Sequence, residues 1–333
     1  MSFMKKVKHV VFDNKVISKL YEGIRTVREF YCEYLFFKKH NSYSKEQTKG
    51  TISYNMIRKV HTLEKGMSNP NPRPFGEKNI KEIISLIQQY ELTKEKSNFS
   101  YNMAISGLNE YLKFYEKKGW TNEKTYVMVK RALENRFCEE KVDVGAKVYG
   151  LETLNGGKEF DYSSFLSSRH SVRTFMAKNV EEDDIQNAIR MAILTPSACN
   201  RQMIKVYHFR KEEDNLYIAN NVQGISGFDK DNTRFLVVTF DENAFYFVGE
   251  RNQGWFNSGL FSCNLINALH NKGIGSCILQ FGNSSNEEKA IKNRLEIPKP
   301  ERIAAIIAYG YYADSTLVPC SYRKSIGEVM ISK

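Results

Sequence analysis

The segment from Val180 to Leu194 constrains this chain most. Ile185, Ala188, Ile189, Ala192 and Ile193 recur there at helical spacing, behind Glu181, Glu182, Asp183 and Asp184. Four acids in a first turn complement the positive end of the helix dipole, so the segment predicts an amphipathic helix with one apolar face. Strand-like runs follow at 205–210, 234–241 and 303–312. Phe261, Leu265, Ala268 and Leu269 place another core-facing helix between the second and third of these. A few well-separated strands interleaved with helices give an α+β or α/β class, with strand order left open.

The first half has a different texture. Residues 16–38 predict a helix carrying Leu20, Ile24, Val27, Tyr31, Tyr34 and Leu35 at helical spacing. Its end, Tyr34 to Lys39, is apolar nearly all round, which suits burial against the protein or a second subunit, or a helix lying at a membrane surface. Pro70, Pro72 and Pro74 must break any helix, and helices are expected again at 78–91, 100–118 and 122–139. The glycine-rich stretch from Gly150 to Gly157 marks the expected boundary between an all-helical N-terminal extension, 1–157, and a second domain, 158–333. A length of 333 residues accommodates both.

Composition narrows the function classes. At 41% hydrophobic and 13% aromatic residues the chain can bury a sizeable core. No apolar run reaches the roughly 20 residues of a membrane span and the start lacks a signal-peptide core, so a cytoplasmic location is expected. The six cysteines show no metal-ligand spacing, and neither a disulfide frame nor a structural metal is expected. Residues 1–60 hold 13 Lys/Arg against five acids, part of a net charge of +11. A solvated lysine-rich face and contact with an anionic membrane both remain open, while no nucleic-acid module is recognisable and no nucleic acid is expected as a partner.

Two arginines, a hydroxyl and an imidazole lie within five residues at Arg169-His170-Ser171-Val172-Arg173. Thr195-Pro196-Ser197-Ala198-Cys199-Asn200-Arg201-Gln202 follows one helix later. Such a basic cluster suits a phosphate dianion and the anionic edge of a reduced ring. This pair of motifs resembles the N-terminal signature of the nitroreductase family of FMN enzymes. The resemblance continues in order through Gly259 to Leu269, Gly273 to Cys277, Pro298 to Gly310, and Pro319 to Lys324.

The resemblance implies a nitroreductase-like α+β fold, a central mixed and mainly antiparallel sheet flanked by helices, and a homodimer with FMN at the subunit interface. It implies that Arg169, Ser171 and Arg323 bind the FMN phosphate with Ser321 as a further donor. Arg173 would lie at the pyrimidine oxygens and His170 along the ribityl or ring edge. Pro196, Ser197, Ala198 and Asn200 would come from the second subunit. Backbone groups near Gln280 and Phe281, beside Ile278 and Leu279, would face the flavin N5. Gln280 stands where several family members have an acidic residue, and Phe281 where they have glycine. NADH or NADPH would deliver hydride to FMN and a small-molecule acceptor would then collect it, a ping-pong reaction that needs no side-chain triad. A flavin-binding scaffold without turnover is the alternative.

His61-x-x-Glu64-Lys65-Gly66, Phe75-Gly76 and Gly249 to Gly254 resemble a nitroreductase-like subgroup associated with bacterial surface-polysaccharide synthesis. His61 and Glu64, one helical turn apart, could form an acid/base pair or a substrate clamp, or fix the proline turn. Glu250 and Arg251 are open between an interface ion pair and a lid.

Overall fold

The computed structural model describes residues 15–41, 48–93, 98–140, 142–148, 160–225, 227–279, 281–316, 318, 321 and 323–333. The expected boundary at Gly150 to Gly157 lies outside the described residues. The N-terminal half contains helices α1 (Lys15–His40), α2 (Lys49–Met67), α3 (Glu77–Leu92), α4 (Phe99–Lys118) and α5 (Lys124–Leu133). The remainder runs α6 (Tyr162–Ser168), α7 (Glu182–Ile193), β1 (Ile204–His208), α8 (Glu212–Asn221), β2 (Arg234–Asp241), α9 (Gln253–Asn271), β3 (Ile274–Leu279), α10 (Ser285–Arg294), β4 (Glu301–Tyr311) and a last short helix, α11 (Ile326–Val329).

Helices α2 to α5 share one core, built on Met56, Val60, Leu63, Ile83, Leu108 and Tyr111. Two aromatic hydroxyls tie the proline turn to it. Tyr115 accepts from the Phe75 amide at 2.6 Å, and Tyr111 donates to the Phe75 carbonyl at 2.5 Å. The Phe75 ring lies against Gly66, where a Cβ would stand 2.1 Å from it, so the glycine is required by close approach. His61 Nδ1 lies 2.9 Å from Glu64 Oε2, while Glu64 Oε1 accepts from the Gly145 amide at 3.2 Å. This pair therefore ties a helix to a neighbouring loop. The expected helix at 122–139 stops early, at Leu133, and Asn135 takes a left-handed φ of 63° two residues on.

Four strands form one sheet in the order β1-β2-β4-β3, antiparallel at every pairing. The mixed character expected of it is confined to an isolated parallel bridge, Ser171 to Ser276. Alternation along β2 sends Phe235 and Val237 to one face with Ile306, Ala308 and Ile291, and Leu236 and Val238 to the other with Ile185, Leu265 and Leu269. Helices on both faces explain why β2 is buried along almost its whole length. Helices α7 and α9 cover the second face together. The fold is α+β with a helical N-terminal region.

Helix α1 departs from the simplest expectation. Phe36 packs beneath the cations of Lys292 and Arg302, and Phe37 joins the small cluster around Phe240 and Phe245. Leu20, Ile24, Val27, Tyr31, Tyr34 and Leu35, the residues whose spacing predicted the helix, are all exposed. Spacing fixed the helix correctly, but burial in this chain is carried by the opposite side.

Candidate functional site

The segment after α6 is fastened to the edge strand β3 and to the end of β4 that pairs with the start of β3. The Val172 amide donates to the Ser276 carbonyl at 3.0 Å, and the Met176 amide to the Tyr311 carbonyl at 3.1 Å. Phe175 fits over Gly310, where a Cβ would meet its side chain at 2.6 Å. This fastening leaves Arg169, His170, Ser171 and Arg173 beside the start of β3. The chain returns from β4 to bring Ser321 and Arg323 to the same place. These six residues line one cavity of about 90 Å³, a volume suited to an anionic group rather than a whole nucleotide.

The electrostatics of that cavity are one-sided. Among the described residues, no carboxylate lies within ion-pair distance of Arg169, Arg173 or Arg323. Three uncompensated guanidinium groups around one small cavity repel one another unless an anion joins them. Behind them, His270 bridges Ser168 and Tyr312, with Nε2 2.8 Å from Ser168 Oγ and Nδ1 2.8 Å from Tyr312 Oη. Burial, with Arg169 and His170 nearby, pulls the His270 pKa down and favours the neutral ring. Burial pushes the Cys277 thiol up against the opposing pull of Arg173, Ser171 and Arg169, so Cys277 stays a thiol.

Next along this edge, Ile278 is exposed at 41%, Leu279 is buried, and Phe281 packs against the core beside them. Gln280 lies outside the described residues.

The second motif lies elsewhere in the chain. Pro196 is exposed; Ser197 Oγ accepts from the Gln202 amide at 3.0 Å, and the Ala198 amide donates to Asn257 Oδ1 at 2.9 Å. Cys199, Asn200 and Gln202 all have left-handed φ values of 51–52°. Asn257 sits near the N-terminal end of α9, whereas His270, behind Arg169, sits at its C-terminal end. At ~1.5 Å per residue these anchors are about 20 Å apart along the axis. Within one chain the two motifs are therefore not brought together.

Arg201 holds this turn from beneath, and the residue motifs alone did not single it out. Its Nε donates to the Ala198 carbonyl at 2.9 Å, its Nη1 to the Ala244 carbonyl at 2.5 Å, and its two terminal nitrogens to Glu250. Glu250 is thus an intrachain partner of Arg201. Arg251 instead donates to the Val248 carbonyl at 3.2 Å, outside this pair. The signal that could have located Arg201 was its place beside residues able to adopt left-handed backbone.

Residues 166–311 match the family model described as "Nitroreductase family". The match spans less than half of the chain, and the fold of this part is accordingly of the nitroreductase type. Similar solved structures include a nitroreductase family protein from Streptococcus pneumoniae TIGR4, 25% identical with a TM-score of 0.45, covering 52% of this chain and 100% of that one. An FMN-dependent nitroreductase from Clostridium difficile R20291 is 20% identical with a TM-score of 0.44, covering 51% and 98%. A nitroreductase family protein from Clostridium novyi NT is 21% identical with a TM-score of 0.42, covering 46% and 86%. No curated protein matches the chain.

Proposed function

We propose that this protein is an FMN-dependent oxidoreductase of the nitroreductase type, with NADH or NADPH as electron donor and a small-molecule acceptor. The observation that carries the reading is the convergence of Arg169, Ser171, Arg173, Ser321 and Arg323, from segments some 150 residues apart, on one cavity without a carboxylate. Arg169, Arg323, Ser171 and Ser321 fit a phosphate dianion, two fixed cations and two hydroxyls in a small recess, and Arg173 is a third cation for the anionic edge of the ring. The exposed Ile278 and the edge of β3 extend from it and offer an apolar wall for a ring.

In this reading Arg169, Ser171 and Arg323 hold the phosphate, with Ser321 as a further donor. Arg173 lies at the pyrimidine oxygens, His170 at the ribityl or ring edge, and Leu279, Gln280 and Phe281 along the covered side. Bound there, FMN supplies hydride acceptance and donation, so that donor and acceptor react in turn. The chain's part is to orient the ring, to keep Cys277 as a thiol, and to favour negative charge at the Arg173 end.

Pro196, Ser197, Ala198 and Asn200 complete the site from a second subunit. Two observations support a homodimer: the axial separation of the two motifs, and the exposure of Ile193, Leu194, Phe256 and Leu260 on α7 and α9, at 55%, 83%, 63% and 38%. A cytoplasmic location is part of the same proposal; among the described residues no helix is long and apolar enough to cross a membrane. A place in surface-polysaccharide metabolism rests solely on the resemblance at His61 to Gly66, Phe75-Gly76 and Gly249 to Gly254.

Titration of the purified protein with FMN, followed by flavin fluorescence, tests the reading. Tight binding that Arg169→Ala and Arg323→Ala each weaken supports it. No uptake of FMN by the wild type overturns it. Uptake without oxidation of NADH or NADPH under any acceptor leaves the flavin-binding scaffold as the function.

A further inference from the structure

Helix α1 carries its apolar side on the outside. At ~100° per residue, Val16, Leu20, Ile24, Val27, Tyr31 and Tyr34 fall on one half of the helix, and each is between 54% and 76% exposed. The opposite half faces the body through polar residues over 22–33, and through Phe36 and Phe37 at its C-terminal end. Glu22, Arg25, Thr26 and Glu33 line the cavity there, and Glu29 accepts from both the amide and the hydroxyl of Ser285 at the start of α10, at 2.9 and 2.6 Å. A 26-residue helix that turns polar groups inward and a continuous apolar stripe outward is placed for a partner outside the chain.

Charge selects the partner. All three acids of the helix, Glu22, Glu29 and Glu33, lie on the body side. The charges on or flanking the stripe are Arg28, Lys38 and Lys39, without an acid among them. Beside Leu35 the stripe runs into a groove of about 450 Å³ between α1 and α10, whose wall is part apolar, from Leu35, Phe36 and Ile297, and which carries Lys39, Lys289 and Lys299 together with Glu33 and Glu288, the latter paired with Arg302. Among the described residues none of these three lysines has a carboxylate within ion-pair distance. A second copy packing this face against itself would offer no acid to Arg28, Lys38 or Lys39, because the stripe side of the helix carries none. A surface offering hydrocarbon beneath a layer of anions satisfies both the stripe and its rim.

We propose that the outer face of α1 lies on an anionic lipid bilayer, its apolar stripe in the headgroup region and the Lys39, Lys289 and Lys299 rim on lipid phosphates. This docking does not depend on what the cavity at Arg169 binds. The full-length protein is sedimented with vesicles of phosphatidylcholine alone and of phosphatidylcholine mixed with phosphatidylglycerol, at low and high salt. It is expected to sediment with the phosphatidylglycerol vesicles and to be released by salt. Leu20→Glu combined with Val27→Glu is expected to lower the partition coefficient at least about tenfold, as the loss of one buried leucine-sized side chain requires. Lys39→Glu combined with Lys289→Glu is expected to abolish the preference for phosphatidylglycerol. Absence of wild-type binding to these vesicles overturns the proposal, and this arm stands whatever the variants do. Undiminished binding by the Leu20/Val27 variant also overturns it. So does conversion of a dimer to a monomer by that variant without vesicles, which would make a second copy the occupant.

Discussion

Arg201 and Glu250 form a two-point ion pair beneath the turn at 196–202, with Nη2 to Oε1 at 2.7 Å and Nη1 to Oε2 at 2.9 Å. Arg201 is 1% exposed and its guanidinium also faces the Phe245 ring. Removing one member strands the other in a desolvated site. Arg201→Ala is expected to destabilise the protein by about 3 kcal/mol or more in urea unfolding, and Arg201→Lys by a large part of that, because an ammonium cannot reproduce the fork. A loss below about 1 kcal/mol for Arg201→Ala would show that the turn is held by other contacts.

Gly66 offers a second test in the helical region. Its missing side chain is the space occupied by Phe75, and Phe75 is itself held by Tyr111 and Tyr115. Gly66→Ala should cost about 1–3 kcal/mol despite alanine's better helix propensity. Combining it with Phe75→Leu should recover part of the loss, and a thermal melt of the single and double variants measures this.

Glu242 gives the stability a pH dependence of known sign. Burial, with Glu33, Asp241 and Glu288 nearby, raises its pKa to about 8 against the opposing pull of Arg302. The folded protein then keeps a proton that the unfolded chain releases above its ordinary value of 4.5. Stability from this group declines as pH rises from about 4.5 to about 8. Glu242→Gln should raise the melting temperature by a few degrees at the upper end of that range and change it little at the lower end. His40 acts in the other direction: burial, Lys39 and Lys292 lower its pKa from 6.5 to about 4. Its contribution is lost as pH falls through that window, and His40→Gln should flatten this acid limb.

The cysteines should separate by reactivity. Cys263 is exposed on α9, whereas Cys277 is buried with its pKa raised. Cys263 shares the α9 face of Phe256 and Leu260, so a maleimide reagent near neutral pH should modify it slowly in the proposed dimer and rapidly once the dimer dissociates, and Cys277 only on unfolding. Cys277→Ser should keep FMN affinity within about threefold, a change of under 1 kcal/mol; a larger loss would give the thiol a part in the site.

The sheet and its covering helices were legible where period and burial agree. The 234–241 run is β2, and Val180 to Leu194 contains α7, because both pack directly on the core. Helix α2 escaped notice although Ile52, Met56, Val60, Leu63 and Met67 follow helical spacing, since glycines, serines and threonines interrupt it. Helix α10 has almost no apolar face; its signal was the capping box of Ser284 and Glu287. The gathering of Ser321 and Arg323 beside Arg169 came from the resemblance, as no local pattern reports a contact across 150 residues. The Arg201–Glu250 pair was hidden for the same reason. The exposure of α1 was not legible at all, because spacing identifies an apolar face without saying what covers it.

The most direct test of the central claim is the affinity of the purified protein for FMN, wild type against Arg169→Ala and Arg323→Ala, read by flavin fluorescence and compared with riboflavin, which lacks the phosphate. The wild type is expected to prefer FMN to riboflavin by at least about a hundredfold, as the loss of two charge-assisted contacts requires, and each variant is expected to erase most of that preference while melting as the wild type does. Equal affinity for FMN and riboflavin, or variants that keep the preference, would contradict a phosphate in the Arg169 cavity.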